Sequence, residues 1–280
     1  GFASHDVAAP TVSDVIDDEV VRAGGAGRCR MIANYGVGVN HIDLSAAASH
    51  GITVSNTPGV LTDATADLTL TLMLMLCRRA GEGERELRAG EWSGWRPTHL
   101  VGRQMTGKTL GIIGMGRIGR AVAHRAHFGF GMEIVFQNRS PVDDGAGVGG
   151  RQLASVAEVC AASDFVSLHC AATPETRHIL GRDALAAMSP SAYVINTARG
   201  DVVDEDALVA ALESGAIGGA GLDVFQGEPK VNPAIMAAPN TVLLPHLGSA
   251  TEETRVAMGM KVVENARAFA MGEVLPDKVG

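Results

Sequence analysis

Three short segments carry side chains able to move protons and hold anions. They are Asn196–Thr197–Ala198–Arg199–Gly200, Asp223–Val224–Phe225–Gln226–Gly227–Glu228–Pro229 and Pro245–His246–Leu247–Gly248–Ser249. Between them they supply a guanidinium, a carboxylate and an imidazole. Taken singly, Arg199 reads as a surface arginine, Glu228 as a turn residue and His246 as a core histidine. All three, however, lie at or just after the C-terminal ends of β-rich runs, where open α/β sheets bind their ligands. A fourth segment, Gly114–Met115–Gly116–Arg117–Ile118–Gly119, reads G-x-G-x-x-G. In a chain with 35 glycines that pattern arises easily by chance. Here it follows a β-rich run ending at Ile113 and opens a helical one, which is the context a dinucleotide-binding loop requires. Gly114 then permits the tight turn, Gly116 lets backbone approach a pyrophosphate, and Gly119 lets helix pack on strand. The phosphates fall at the positive end of the helix.

The next β-rich run ends Phe136–Gln137–Asn138–Arg139–Ser140. A site selective for NAD places a carboxylate near this point to hold the ribose 2′-hydroxyl. A carboxylate would repel a 2′-phosphate, whereas a guanidinium and a hydroxyl can bind one. Asn138, Arg139 and Ser140 therefore predict a preference for NADP, with NAD possible. The alternative is that Arg139 only stacks on adenine and both cofactors bind.

These groups need a scaffold. From residue 109 to 247 the chain alternates β-rich runs (109–113, 133–137, 165–169, 193–197, 219–225, 241–244) with stretches of helical apolar spacing (117–125, 153–161, 205–214). Such alternation predicts parallel strands joined by crossover helices. The central runs are apolar throughout, as when both sheet faces are covered. Residues 68–76 place Leu at every second position with Thr or Met between, a period of two that first suggests a strand. Leu and Met favour helices, Thr62 or Asp63 can cap one, and the charged run 78–88 follows without a turn signal. The segment thus predicts one long helix starting near Asp63, apolar on several sides and buried partly against a second subunit. Residues 1–60 form a different block, with a strand around Val54 and a tight loop at Gly36–Val37–Gly38. A terminal helix over 252–271 returns to it, so the domains are 1–60 with 251–280, and 61–250. Residues 145–150 read as a glycine-rich surface loop.

Composition narrows the partners. Lys and Arg number 23 against 31 Asp and Glu, a formal net charge of −8, which offers no basic field for nucleic acid or anionic membrane. Cys29, Cys77, Cys160 and Cys170 are scattered without C-x-x-C spacing, so neither a zinc site nor a redox pair is expected. The apolar run 68–77 is shorter than the roughly 20 residues of a membrane helix, and no signal-peptide pattern opens the chain. The expectation is a cytoplasmic protein.

As a set, Tyr35–Gly36–Val37–Gly38–Val39, the Gly114–Gly119 loop, Asn196–Gly200, Gly227–Glu228–Pro229 and Pro245–Thr251 resemble the D-isomer-specific 2-hydroxyacid dehydrogenases. The stretch Arg78–Glu84, with Trp92 and Trp95–Arg96–Pro97, looks most like the glyoxylate/hydroxypyruvate reductase and glycerate dehydrogenase branch. The resemblance implies a doubly wound (Rossmann) nucleotide domain plus a smaller, discontinuous flavodoxin-like substrate domain. It implies hydride transfer between NAD(P) and a small 2-oxo or D-2-hydroxy acid. His246 would be the acid/base, Glu228 its carboxylate partner, and Arg199 the anchor for the substrate's carboxylate and 2-oxo group. Val37 and Gly38 would grip the carboxylate through backbone N–H groups, and Trp95 would reach the neighbouring subunit's site in a homodimer. Cofactor contacts would come from the glycine loop with Arg117 and Ile118, from Asn138, Arg139 and Ser140, and from Cys170, Thr197, Ala198, Asp223, His246 and Gly248. Two departures stand out. Only 34 residues precede Tyr35, roughly one βαβ unit fewer than the family carries, and Ala171–Ala172 stand where relatives usually have proline. Another acid substrate (phosphoglycerate-like or formate-like) and a dinucleotide-sensing scaffold protein are the alternatives.

Overall fold

The computed structural model describes residues 2–143 and 147–279. The glycine-rich loop expected at 145–150 falls partly outside them; within them, Gly147 and Gly149 both take positive φ. The chain divides into two units, Gly1–Leu61 with Ser249–Gly280, and Thr62–Gly248.

The smaller unit opens with β1 (Val7–Ala8), α1 (Asp18–Ala26), β2 (Met31–Ala33), α2 (Leu44–Ser49) and β3 (Thr53–Ser55). Asp17 and Asp43 start the two helices, their carboxylates accepting the N–H of Val20 and Ala46 at 3.0 and 2.8 Å. Strands β1, β2 and β3 pair in parallel, in that order. Ile32 and Val54 from the sheet meet Val21 and Ala47 from the helices in one buried cluster.

The larger unit contains α3 (Thr62–Cys77), α4 (Ala80–Ala89), β4 (Thr109–Ile113), α5 (Arg117–Phe130), β5 (Glu133–Gln137), β6 (Arg151–Gln152), α6 (Val156–Ala162), β7 (Phe165–Leu168), α7 (Arg182–Ala186), β8 (Tyr193–Asn196), α8 (Glu205–Glu213), β9 (Gly219–Leu222), α9 (Pro233–Ala237) and β10 (Thr241–Leu243). Its seven strands are all parallel, in the order β10-β9-β8-β7-β4-β5-β6. This is the doubly wound arrangement, with its order reversal between β4 and β7. One core lies on each face of the sheet. Phe136 and Phe165 are fully enclosed, each worth about 1.5–3 kcal/mol relative to exposure.

Two features differ from the sequence reading. The run from Asp63 to Arg88 is two helices rather than one. Arg79 sits between them in the left-handed region (φ 50°), and its guanidinium forks onto Glu82 at 3.0 and 2.6 Å, holding α4 on a new axis. The apolar surround of α3 is also met largely within its own unit, by α5 and by β8, β9 and β10. What remains exposed is the stripe Asp63, Asp67, Thr71 and Leu74, at helical spacing despite the period-two leucines. Arg125 on α5 reaches Asp63 and Asp67 of that stripe at 2.8 and 2.7 Å.

The chain then returns to the smaller unit through α10 (Glu252–Ala270), started by the Thr251 hydroxyl, and β11 (Lys278–Val279). Tyr35 donates its hydroxyl to the Arg255 carbonyl at 2.7 Å, and β11 pairs antiparallel with β3. The smaller sheet is therefore mixed, and the flavodoxin-type order reversal is not among its described strands. No helix among the described residues is long and apolar enough to cross a membrane.

Candidate active site

The glycine loop begins where β4 ends. Gly114 has φ +97°, and a Cβ there would lie 2.6 Å from the Cys170 amide nitrogen, so only glycine fits. Gly119 packs so tightly that a Cβ would meet the Gly114 carbonyl oxygen at 2.3 Å. Gly116 is the opposite case: nothing lies within 4 Å of the place its Cβ would take. The loop thus leaves backbone open at the N-terminus of α5, the arrangement that receives a pyrophosphate. Arg117 and Ile118 form the first turn of that helix, Arg117 exposed and Ile118 packed against the core. Cys170 borders Gly114 from the segment just after β7; burial pushes its thiol up to about 11, so it lines the site as a neutral group.

Asn138 closes the loop from the end of β5. Its Oδ1 accepts the Met115 N–H at 3.2 Å and its Nδ2 donates to the Ser140 carbonyl at 2.9 Å. Gln152 on β6 pins the same turn, donating to the Asn138 carbonyl at 3.0 Å and accepting the Val142 N–H at 3.0 Å. The side chains of Arg139 and Ser140 are left exposed.

On the neighbouring strands the three chemical groups sit on turns built by buried polar residues. Asn196, at the end of β8, donates to the Arg199 carbonyl at 2.8 Å and accepts the Ala198 N–H at 3.0 Å. Arg199 itself donates to the Ala198 carbonyl at 2.6 Å. Burial pulls the guanidinium below its ordinary range and the charge of Glu228 opposes the drop. Thr197 turns its hydroxyl to Thr69 on α3, 3.0 Å away. Asp223, only 1% exposed, follows β9. Its carboxylate accepts the N–H of Leu247 and Gly248 at 2.7 and 2.8 Å, while its carbonyl accepts the His246 N–H at 2.9 Å. These bonds hold His246 in the left-handed region, φ 56°. There the His246 Nδ1 lies 2.7 Å from Glu228 Oε2, and Glu228 Oε1 accepts the Phe225 N–H at 2.8 Å. Burial pushes the Glu228 carboxyl up, but His246, the Phe225 amide and the Arg199 charge together hold it below its usual range. A carboxylate so held adds stability above the pKa of the unfolded chain and loses it as pH falls through the depressed value. Glu228 is therefore ionised at neutral pH, and it fixes Nδ1 as the donor, leaving Nε2 as the nitrogen free to exchange a proton.

Val37 and Gly38 belong to the smaller unit. There Asn34 donates to the carbonyls of Gly36 and Gly38, both at 3.0 Å, and Asn56 donates to the Val37 carbonyl at 2.8 Å. A trans peptide points its N–H opposite its C=O, so the Val37 and Gly38 amides face away from those asparagines. Trp95 is 82% exposed. A cavity of about 350 Å³, lined by Arg79, Arg85, Arg103 and Tyr193 among others, opens beside the starts of β8, β9 and β10 and holds none of the candidate catalytic groups. Sequence reasoning passed over Asn34 and the turn-building role of Asn196, and it read Asp223 as a cofactor contact, whereas the structure shows its carboxylate holding the Leu247 and Gly248 amides. The signal was available as a polar residue closing an apolar strand. His169 is a further polar group at this edge; burial pulls it down to about 3 and Ser167 lies 2.8 Å from its Nε2, so it is a neutral wall.

A histidine paired with a carboxylate at the ligand-binding edge of a doubly wound sheet, beside an open glycine loop, gives the larger unit the form of a nicotinamide-dependent oxidoreductase. Residues 70–248 match the family described as D-isomer specific 2-hydroxyacid dehydrogenase, NAD binding domain. The chain belongs to that family. It is 46% identical over 272 residues to a glyoxylate reductase of Thermococcus litoralis, covering 96% of this chain and 81% of the relative. Among solved structures it resembles the NADPH-dependent glyoxylate/hydroxypyruvate reductase of Sinorhizobium meliloti, in complex with NADP and malonate (TM-score 0.90, 36% identity, 98% of this chain and 84% of that one). A glyoxylate reductase from Paecilomyes thermophila is similar at TM-score 0.88 and 39% identity, over 98% of this chain and 83% of that one.

Proposed function

We propose that this enzyme reduces glyoxylate and hydroxypyruvate to their 2-hydroxy acids, with NADPH preferred over NADH. The observation that carries the proton-transfer part is the 2.7 Å contact between His246 and Glu228. A bound nicotinamide dinucleotide supplies the hydride. His246 delivers the matching proton from Nε2 as negative charge builds on the carbonyl oxygen, and the ionised Glu228 stabilises the imidazolium and fixes its orientation. Arg199 offers a planar fork to the substrate carboxylate and draws electron density from the 2-oxo group. Val37 and Gly38 keep the carboxylate-gripping role that the family resemblance implies for them.

The cofactor preference rests on Asn138, Arg139 and Ser140 standing where a carboxylate would select NAD. Rates of NADPH and NADH oxidation, with glyoxylate and hydroxypyruvate as separate acceptors, test both parts together. Turnover is expected with both acids and faster with NADPH. Arg139→Ala should weaken NADPH far more than NADH, and equal losses for the two would remove the 2′-phosphate contact.

A homodimer is the proposed assembly. Leu87, Trp92, Trp95 and Val101 are all large apolar residues left exposed on α4 and the segment after it, and burying such side chains against a second copy would remove them from water. Sedimentation should give a dimer mass, and Trp95→Ser should raise the dimer dissociation constant or KM. A monomeric wild type would refute the assembly.

A further inference from the structure

The turns that carry Arg199 and Glu228 touch backbone to backbone. A Cβ on Gly200 would fall 1.9 Å from the Phe225 carbonyl carbon and 2.2 Å from the Gln226 nitrogen, so the two turns are in van der Waals contact and cannot tolerate a larger residue between them. Contact alone does not fix their register, and hydrogen bonds from Gln226 do. Its N–H donates to Glu205 Oε1 at 2.7 Å. Its side-chain Nε2 donates to the Val203 carbonyl at 2.7 Å and lies 2.8 Å from His178 Nε2. Val203 can only accept, so the Gln226 amide is oriented with its NH₂ inward and His178 Nε2 is the acceptor of the second proton. His178 is in turn tied to the Arg199 side of the contact, its N–H donating to the Asp201 carbonyl at 2.8 Å. Glu205 is buried at the start of α8, where Asn232 also hydrogen-bonds its carboxylate. A buried carboxylate is costly unless its oxygens are satisfied, and one of its partners is the backbone of the Glu228 turn.

We propose that Glu205 and Gln226 are positioning residues: they lock the Arg199 turn to the Glu228 turn, and so set the placement of the guanidinium relative to the His246–Glu228 pair. This rests on the catalytic reading given above. Neither residue touches the reacting atoms. Glu228 Oε1 is held by the Phe225 N–H, one residue before Gln226, so release of Gln226 loosens the carboxylate that orients His246. A misplacement of about 1 Å in such an arrangement costs on the order of 100-fold in rate.

The test compares Glu205→Ala, Glu205→Gln and Gln226→Met with the wild-type enzyme. Glu205→Gln keeps an oxygen to accept the Gln226 N–H; Gln226→Met keeps the side-chain length and removes the donor. Steady-state kinetics on whichever 2-oxo acid the wild type reduces should show kcat/KM down about 10- to 100-fold in Glu205→Ala and Gln226→Met. Glu205→Gln should restore it to within about threefold, and dinucleotide Kd should hold within about twofold throughout. Proton NMR provides a readout independent of turnover. The His246 Nδ1–H resonance, assigned by its loss in His246→Gln, should be visible in wild type and Glu205→Gln and broadened by exchange in Glu205→Ala and Gln226→Met. Wild-type kinetics and an unchanged resonance in both damaged variants would overturn the proposal, as would Glu205→Gln behaving like Glu205→Ala. Failure of the underlying catalytic reading looks different: His246→Gln would then retain turnover whatever the Glu205 variants do.

Discussion

Replacing His246 with alanine should lower the rate of 2-oxo acid reduction by about 100-fold or more and leave dinucleotide affinity nearly intact. In the proposed mechanism the imidazole supplies the proton, and Glu228, 2.7 Å away and ionised, orients it. The backbone of residue 246 is at φ 56°, a region alanine enters reluctantly, so strain is a competing explanation for lost activity. Asparagine enters that region more readily. His246→Asn should therefore lose turnover as fully as His246→Ala, although its backbone is better suited to the site. Titration with NADPH and steady-state kinetics on both variants check this. Unchanged turnover in either would take His246 out of the chemistry.

Arg199→Lys should reduce kcat/KM by about 100- to 1,000-fold, the range found when one preorganised donor to a developing oxyanion is removed. The substitution keeps a cation but replaces a planar fork by a point charge. Burial already pulls the Arg199 guanidinium downward, with Glu228 opposing; an ammonium in the same place loses its proton more readily. The effect should divide between a raised KM, from the lost carboxylate fork, and a lowered kcat, from weaker polarisation of the carbonyl. A change smaller than about tenfold would exclude the anchoring role. Dinucleotide binding, measured on the same variant, should stay close to wild type.

The parts of the fold that could be read in the residues are those where one physical requirement dominates. Leu110, Ile112, Ile113, Val194 and Ile195 are apolar because both sheet faces are covered, so β4 and β8 begin and end within a residue of the runs that predicted them. Gly114 and Gly119 announced themselves because any side chain would strike backbone. The break at Arg79 was invisible, since the left-handed residue is an arginine stabilised by its own ion pair with Glu82, while the nearby Gly81 and Gly83 lie inside α4 rather than at the break. Strand β6 is two exposed polar residues, Arg151 and Gln152, recognisable only through the hydrogen bonds Gln152 makes. At the site, the side chains able to move protons or bind anions were conspicuous by type. Those that place them were not: Asn196, Gln226 and Glu205 owe their importance to partners 2 to 48 residues away, which spacing alone does not disclose.

The hydrogen bond from the Thr65 hydroxyl to the Gly248 carbonyl, 3.0 Å long, joins residues 183 apart. It lies three residues inside one boundary of the larger unit and at the other boundary itself. Once that unit has formed, the two strands of chain leaving it depart from a common point. The smaller unit must pair Ser55 with Lys278 and Val54 with Val279 across the whole insertion. For an unstructured insertion, the entropy of that closure grows with the logarithm of its length. For a folded one it depends only on the short connecting segments. In thermodynamic terms, the larger unit acts as a clasp that converts a long-range closure into a local one, and a single threonine hydroxyl sits at the clasp.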